Sequence, residues 1–253
     1  MSFRGTPPAS ARERLDRYAA GRGDVLARIA VAGEDNLQVV GLWLVGSLGR
    51  GTGDAWSDLD LVIVPTDQAL SVVAADPVQA LGVGADVLFL LRRPVNGSVG
   101  GTYMGICYQV ENLPLWLDCY VWPLRTAQIP ADGRPLVERP EHSIPQAAEE
   151  FAALLDRHRA PAAGAGESDR DRQRFRLLAT LVASKSLARG DRSGVAGMLR
   201  WVDLPAVDVT RAASVVSGLR HLLATVTDPE LAKAVQATTG LVDLAESFTR
   251  QAP

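Results

Sequence analysis

The sequence predicts an α+β protein, with a sheet domain at residues 1–125 and a helical domain at residues 146–253. Short apolar runs of strand-like composition, separated by turns, occupy the part before Pro123, and the pattern becomes helical from Gln146 onward. Between the two parts, residues 126–145 contain four prolines and are interpreted as an extended linker. The helical half contains few strand-like runs, which favours a bundle packed against the sheet domain.

Composition and charge limit the classes of protein that the chain can represent. It has 253 residues, 47% of them apolar, and a formal net charge of −3. A chain of this length can bury enough apolar surface for one large domain or two modest ones. The small negative charge argues against a surface for duplex nucleic acid. Because no apolar run is long enough for a membrane span and the N-terminus has no signal core, we expect a cytoplasmic protein without membrane contacts.

The first two predicted elements are a helix and a strand. Ser10–Ala32 carries apolar residues at helical spacing, and Ser10 with Glu13 has the pattern of a capping box. Gly21 and Gly23 are positions at which this helix could divide in two. The apolar run at residues 37–44 is short and rich in β-branched and aromatic residues, which predicts a strand.

A glycine-rich turn and a second strand follow, and they carry the main functional signal. Residues 45–61 read VGSLGRGTGDAWSDLDL, and three apolar residues come next. Gly46 and the glycines after it permit positive φ and a close approach of the backbone to a ligand. Asp58 and Asp60 are two positions apart, so on a strand they point to the same face, where their repulsion favours a bound cation. The pattern predicts a Mg²⁺ site beside a phosphate-binding turn.

Two other glycine-loop motifs do not fit this stretch. A Walker A loop requires Gly-Lys-Ser/Thr, and no lysine precedes Lys185. A dinucleotide-binding fingerprint requires a glycine turn that leads into a long helix. Here Gly49, Gly51 and Gly53 lead into a polar turn and another strand, which excludes the dinucleotide-binding fingerprint. The missing lysine excludes the Walker A loop.

The Gly-Ser pair at Gly46–Ser47, followed by Asp-x-Asp at Asp58–Asp60, resembles the signature of the DNA polymerase β-like nucleotidyltransferase superfamily. The likeness is greatest to the aminoglycoside nucleotidyltransferase-like branch and covers residues 10–125. It implies a mixed-sheet nucleotidyltransferase domain in which Asp58 and Asp60 bind Mg²⁺. It also implies that Gly46, Ser47 and Arg50 contact the nucleotide.

Four elements are predicted after the second strand: a short helix at 67–80, a buried strand at 86–91, a loop at 92–101 and a hairpin at 103–122 with its turn at Glu111–Asn112. The loop is basic and glycine-rich, and both a role in binding phosphates or substrate and a solvated loop remain open. Cys107 and Cys119 could become neighbours in the hairpin, and we expect them to be reduced packing residues.

A third carboxylate is expected from a strand beside the Asp-x-Asp strand, as the resemblance implies. Asp118 lies mid-strand among apolar neighbours, where a charged residue requires a partner or a metal. Asp86 is the competitor, because it also begins a strand after the signature. We favour Asp118 as the third metal ligand and catalytic residue, since an acid at a strand end can simply be solvated.

In the helical half, Asp169–Arg189 is the helix of greatest functional interest. Lys185 begins a segment that resembles the helical-domain region of small-molecule nucleotidyltransferases, where a lysine commonly meets the nucleotide triphosphate. The alternative is a solvated lysine near the helix end, where the macrodipole favours a cation. Glu149 and Glu150 are less favoured candidates for a catalytic base, and the histidines lack the spacing of a zinc site.

The resemblance implies Mg²⁺-dependent transfer of AMP from ATP to a hydroxyl of a small molecule, such as an aminoglycoside-type antibiotic, in a cleft between the two domains. A role in antibiotic resistance would follow from that acceptor. One alternative is AMPylation of a protein, as in minimal nucleotidyltransferases of toxin–antitoxin pairs, whose Arg-Gly and Ser-Asp-x-Asp also match Arg50–Gly51 and Ser57–Asp60. Another is a non-catalytic nucleotide sensor.

Overall fold

A computed structural model describes residues 8–93, 96–160, 168–204 and 207–249. The predicted α+β class is confirmed, with a six-stranded mixed sheet followed by C-terminal helices. The chain divides into two compact units. A helical unit contains the described parts of residues 1–20, 109–114 and 166–253, and a sheet unit contains those of residues 21–108 and 115–165.

The sheet has the strand order β3-β4-β5-β2-β1-β6. Its strands are β1 Val39–Val45, β2 Leu59–Pro65, β3 Val87–Arg92, β4 Thr102–Val110, β5 Leu113–Val121 and β6 Arg134–Glu138. Strand β2 pairs in parallel with β5, whereas β1 pairs antiparallel with both β2 and β6. All of β1 and all of β2 except Asp60 are buried, so an acidic side chain lies at the centre of an otherwise apolar sheet.

Two segments differ from the sequence-based expectations because of the edges of the sheet. The expected linker at 126–145 contains β6, which pairs with β1 and forms one edge. The opposite edge is β3, and only Phe89 and Leu91 of that strand are buried. The prediction of a buried strand there is wrong, because an edge strand is covered on fewer sides.

The hairpin of β4 and β5 is confirmed, with positive φ at Glu111 and Asn112 in its turn. Both cysteines are buried, and neither forms a disulfide.

Helices α1 Ala9–Asp35, α2 Gly46–Gly49, α3 Leu70–Ala75, α4 Pro77–Ala80 and α5 Phe151–His158 accompany the strands. Helix α1 is continuous, so the glycines at 21 and 23 do not divide it. The single helix expected at 67–80 is instead the pair α3 and α4. The two separate at Asp76, whose side chain accepts a hydrogen bond from the Gln79 backbone at 3.1 Å and so caps α4.

The helical unit contains α6 Asp169–Arg189, α7 Arg192–Trp201, α8 Ala212–Ala224 and α9 Ala232–Ser247. Helix α6 has the predicted bounds. It begins where the Ser168 hydroxyl caps it and ends at Gly190, whose φ is +75°. It packs against the other three helices, so its second half is buried on every side. The sequence also predicts a break, rich in Pro, Ala and Gly, at residues 160–167, of which 161–167 lie outside the described residues. Among the residues that are described, no helix is long and apolar enough to cross a membrane.

Candidate active site

The glycine turn is built around an acidic side chain. Gly46 follows β1 with a φ of +66°, and a Cβ at this position would lie 2.3 Å from Oδ2 of Asp60. Both the backbone conformation and the contact therefore require glycine. The turn closes where the Ser47 carbonyl accepts a hydrogen bond from the Thr52 amide at 2.9 Å. As a result, the backbone at Gly46 lies directly against the Asp60 carboxylate.

Three carboxylates come together beside this turn. Asp60 lies on β2 and is the register partner of Asp118 on the parallel neighbour β5. Asp58 lies just before β2, close enough for its charge to act on both of them. Burial, followed by repulsion from Asp118 and Asp58, raises the pKa of Asp60 well above its usual range. The structure thus brings together the three acids that the sequence analysis selects.

The orientation of Asp118 is determined by two hydrogen-bond donors. Its Oδ1 accepts the Tyr103 hydroxyl at 2.5 Å and the Trp116 indole N–H at 2.9 Å. Burial raises the pKa of Asp118 to about 6, although these two hydrogen bonds act to lower it. Neither Tyr103 nor Trp116 was identified from the sequence, because no motif distinguishes them from core aromatics.

Asp86, the competing acid, lies at the edge of the sheet. It belongs to a 3₁₀ turn before β3, and two strands separate β3 from β2. Its Oδ2 accepts the hydroxyl of Tyr108 at 2.9 Å, and that hydroxyl also accepts a hydrogen bond from Arg28 at 2.9 Å. The structure therefore does not bring Asp86 to the cluster of Asp58, Asp60 and Asp118.

The donor set fits a divalent cation in its chemistry. Carboxylate oxygens are the ligands that Mg²⁺ prefers, and Mg²⁺ is usually held by one or two carboxylates together with substrate phosphates. Over the described ranges of the chain, no group of three His, Cys, Asp or Glu residues is arranged to hold a metal ion by itself. A site that is completed by a nucleotide phosphate is consistent with both facts.

Comparison with protein families agrees with this geometry. Residues 28–73 match the family model of the nucleotidyltransferase domain. The matched segment contains β1, the glycine turn and both aspartates of the Asp-x-Asp motif. The match supports the polymerase β-like superfamily and nucleotidyl transfer as the general type of reaction. Comparison with curated proteins finds no match.

Arg50, in the glycine turn, is oriented by a residue that the sequence analysis missed. Its Nη1 is 3.0 Å from Oδ2 of Asp132, whose side chain is only 4% exposed. Oδ1 of Asp132 accepts a hydrogen bond from the Phe151 amide at 2.7 Å and so holds the start of α5. Asp132 lies in the proline-containing segment interpreted as a linker, and no local pattern marks it as a site residue.

The connector between the glycine turn and the Asp-x-Asp motif is also held in place. Nη1 of Arg22 donates to the carbonyls of Asp54 at 2.9 Å and of Ser57 at 2.8 Å. Within the connector, Oδ1 of Asp54 accepts the Trp56 amide and the Ser57 hydroxyl, each at 3.0 Å. These contacts fix the backbone immediately before Asp58. An Asp-x-x-Ser turn is a recognisable sequence signal, but its arginine partner lies 32 residues away from Asp54.

Glu149 and Lys185, the remaining candidates, have partners within their own units. Glu149 forms an ion pair with Arg157 at 2.8 Å. Lys185 belongs to the helical unit, where it is 1% exposed, and its Nζ lies 5.9 Å from the centroid of the Tyr18 ring. The interpretation of Lys185 as a solvated lysine is wrong, because α6 is the central helix of its unit. Contact between Lys185 and a nucleotide stays a prediction.

Proposed function

We propose that this protein is a Mg²⁺-dependent nucleotidyltransferase that transfers AMP from ATP to a hydroxyl of a small molecule. The observation that carries the proposal is the pairing of Asp60 with Asp118 on adjacent parallel strands, directly against the glycine turn. The match of residues 28–73 to the nucleotidyltransferase domain supports the type of reaction. The adenine base and the small-molecule acceptor are our extension from the sequence resemblance.

Each part of the site has a role in this reaction. Asp58, Asp60 and Asp118 would hold the cation, which supplies charge neutralisation at the α-phosphate when bound. The Ser47 hydroxyl and the backbone at Gly46 would bind the β- and γ-phosphates. The acceptor oxygen forms a bond to the α-phosphorus, the bond to the bridging oxygen breaks, and pyrophosphate leaves. Asp118 would accept the proton of the acceptor hydroxyl.

Arg50 would contribute a positive charge beside the phosphates. The buried carboxylate of Asp132 holds one of its nitrogens, so the guanidinium is oriented before the nucleotide binds. A planar guanidinium that is already positioned loses little conformational freedom on binding, which favours recognition of phosphate oxygens.

The proposal can be tested by thermal shift with ATP and Mg²⁺, separately and together. Because carboxylates and triphosphate would share the cation, the combination should raise Tm by more than the sum of the separate shifts. Ligand at 100-fold its Kd stabilises by about 2.7 kcal/mol, and each kcal/mol raises Tm by roughly 2–4 °C for a chain of this size. Asp60→Asn should remove the synergy. Additive shifts in the unchanged protein would contradict the proposal.

The acceptor is identified by a transfer assay with α-labelled ATP and Mg²⁺. Aminoglycosides and other polyhydroxylated amines should acquire the label if the acceptor is a small molecule. A labelled protein band, with no labelled small molecule, would instead indicate protein AMPylation. Synergistic binding of ATP and Mg²⁺ without transfer to any acceptor would favour a nucleotide sensor.

A further inference from the structure

Two aromatic side chains converge on a single oxygen of Asp118. Tyr103, on β4, donates its hydroxyl to Oδ1 at 2.5 Å, and Trp116, two residues before Asp118 on β5, donates its indole N–H at 2.9 Å. Both donors are buried, with 4% and 3% of their surfaces exposed. A carboxylate with two buried donors on one oxygen has little freedom to rotate, so its other oxygen also has a defined direction.

Packing fixes both donors in turn. The Trp116 ring occupies the space above Gly105 on β4, where a Cβ would lie 2.1 Å from Cζ2 of the indole. Its other neighbour is Phe89, with ring centroids 6.0 Å apart. The Tyr103 ring packs against Tyr120 at 5.1 Å between centroids. The packing of these buried rings therefore fixes the positions of the two donors, and the two donors fix the direction of the Asp118 carboxylate.

We propose that Tyr103 and Trp116 are positioning residues that hold Asp118 with one oxygen directed toward Asp60 and the cation. This inference rests on the proposed function, since it assumes that Asp118 is a metal ligand. Hydrogen-bond partners of metal ligands orient the ligands and raise their affinity for the ion, and losing such a partner typically weakens metal binding by roughly 10–100-fold. Asp118 also makes a side-chain contact with Asp60, and a shared ion would replace that contact between the two carboxyl groups.

The sheet contains a matched control for this arrangement. Tyr108 also donates its hydroxyl to a carboxylate, that of Asp86, at 2.9 Å. Like Tyr103, it lies on β4 and is buried, but its partner lies at the edge of the sheet. Tyr108→Phe removes the same kind of hydrogen bond without touching Asp118.

The test is direct measurement of Mn²⁺ binding by electron paramagnetic resonance, in the presence of a non-hydrolysable ATP analogue. Tyr103→Phe and Trp116→Phe should each raise the Kd for Mn²⁺ by roughly 10–100-fold, whereas Tyr108→Phe should leave it unchanged. Gly105→Ala should act like Trp116→Phe, because it displaces the indole without removing any polar group. Circular dichroism melts verify that each variant is folded, and Tyr103→Phe, which is nearly isosteric, keeps the test valid if the Trp116 variant unfolds.

The outcomes separate this inference from the proposed function. Unchanged Mn²⁺ affinity in folded Tyr103→Phe would overturn the positioning role, even if the unchanged enzyme transfers nucleotides. An equal loss of affinity in Tyr103→Phe and Tyr108→Phe would overturn it as well, because the effect would then be general to the sheet. Weakened Mn²⁺ binding in Tyr103→Phe alone, together with no transfer to any acceptor by the unchanged protein, would support the positioning role and contradict the proposed transferase.

Discussion

The sheet contains two tyrosines that donate to aspartates, and the comparison between the two pairs shows how topology separates a candidate active site from a contact at the sheet edge. Tyr103 donates to Asp118, and Tyr108 donates to Asp86. Asp118 lies on β5, directly beside Asp60 on β2, whereas Asp86 precedes the edge strand β3. Repulsion from Asp58 acts on Asp118, while Arg28 donates a hydrogen bond to the tyrosine beside Asp86. Only the central pair faces a cluster of negative charge.

The largest expected effect is at Asp58, which precedes β2, and at Asp60, which lies within it. Asp58→Asn and Asp60→Asn should abolish nucleotidyl transfer, because each removes a charge that the cation must balance, while circular dichroism should show an intact fold. The assay is label transfer from α-labelled ATP once an acceptor is known. Near-unchanged turnover in either variant would refute its assignment as a metal ligand.

The next effect compares the two pairs directly. Asp118→Asn should reduce transfer by roughly 10²–10⁴-fold, the range expected for loss of an acid–base or positioning group. Asp86→Asn should have little effect, since two strands separate β3, the strand that follows Asp86, from β2. Both substitutions are nearly isosteric and can be compared by kcat/KM in one assay. The reverse pattern would move the active site to the edge of the sheet.

A smaller effect is expected at the glycine turn, where two glycines with positive φ differ in their surroundings. Gly46→Ala would place a methyl group against Oδ2 of Asp60, whereas a Cβ at Gly51, with φ +72°, meets no atom within 4 Å. Both variants carry the backbone cost of about 1–2 kcal/mol for a left-handed residue. Only Gly46→Ala should displace Asp60, and a displacement of that kind can reduce turnover by roughly 10²-fold.

Equal activity losses in Gly46→Ala and Gly51→Ala, matched by equal losses of Tm, would show that backbone strain alone is responsible. In that case the close contact between Gly46 and Asp60 would have no functional meaning. Measuring kcat and Tm for both variants under the same conditions decides between the two.

The sequence predicted the elements with local signals and missed those that depend on distant partners. The glycine turn, the Asp-x-Asp motif, the hairpin and the bounds of α6 follow from composition, turn residues and caps within a few positions. The selection of Asp118 over Asp86 rested on an acid in an apolar mid-strand setting. In contrast, the contact between Arg50 and Asp132 joins residues 82 positions apart, and no local pattern reveals it.

The spacing of apolar residues also failed to predict which residues of α6 are buried. The helical spacing of five apolar residues predicts a core face for α6: Phe175, Leu178, Leu181, Val182 and Leu187. Leu181 and Leu187 are buried, but Phe175, Leu178 and Val182 are only partly buried. The second half of the helix is instead enclosed on all sides, including Thr180 and Ser184, whose hydroxyls donate to backbone carbonyls four residues earlier. A helix that packs against three others does not need a single apolar stripe. The one-sided pattern of a surface helix therefore does not predict its buried residues.

The smallest effect on transfer is expected at Lys185, which lies within the helical unit. Lys185→Ala should lower Tm, because truncating a buried side chain of this length leaves a cavity that typically costs about 2–5 kcal/mol. Lys185→Met keeps most of the volume and should lower Tm less. A raised KM for ATP in Lys185→Met would support the nucleotide contact predicted from the sequence, and an unchanged KM would leave Lys185 a packing residue.

The most direct test of the account is the position of a bound metal ion. Crystals grown with Mn²⁺ and a non-hydrolysable ATP analogue would locate the ion by its anomalous scattering. A peak is expected within roughly 2–2.5 Å of carboxylate oxygens from the cluster of Asp58, Asp60 and Asp118, beside the nucleotide phosphates. A metal peak at Asp86, or a nucleotide bound with its phosphates away from Gly46 and Ser47, would contradict it.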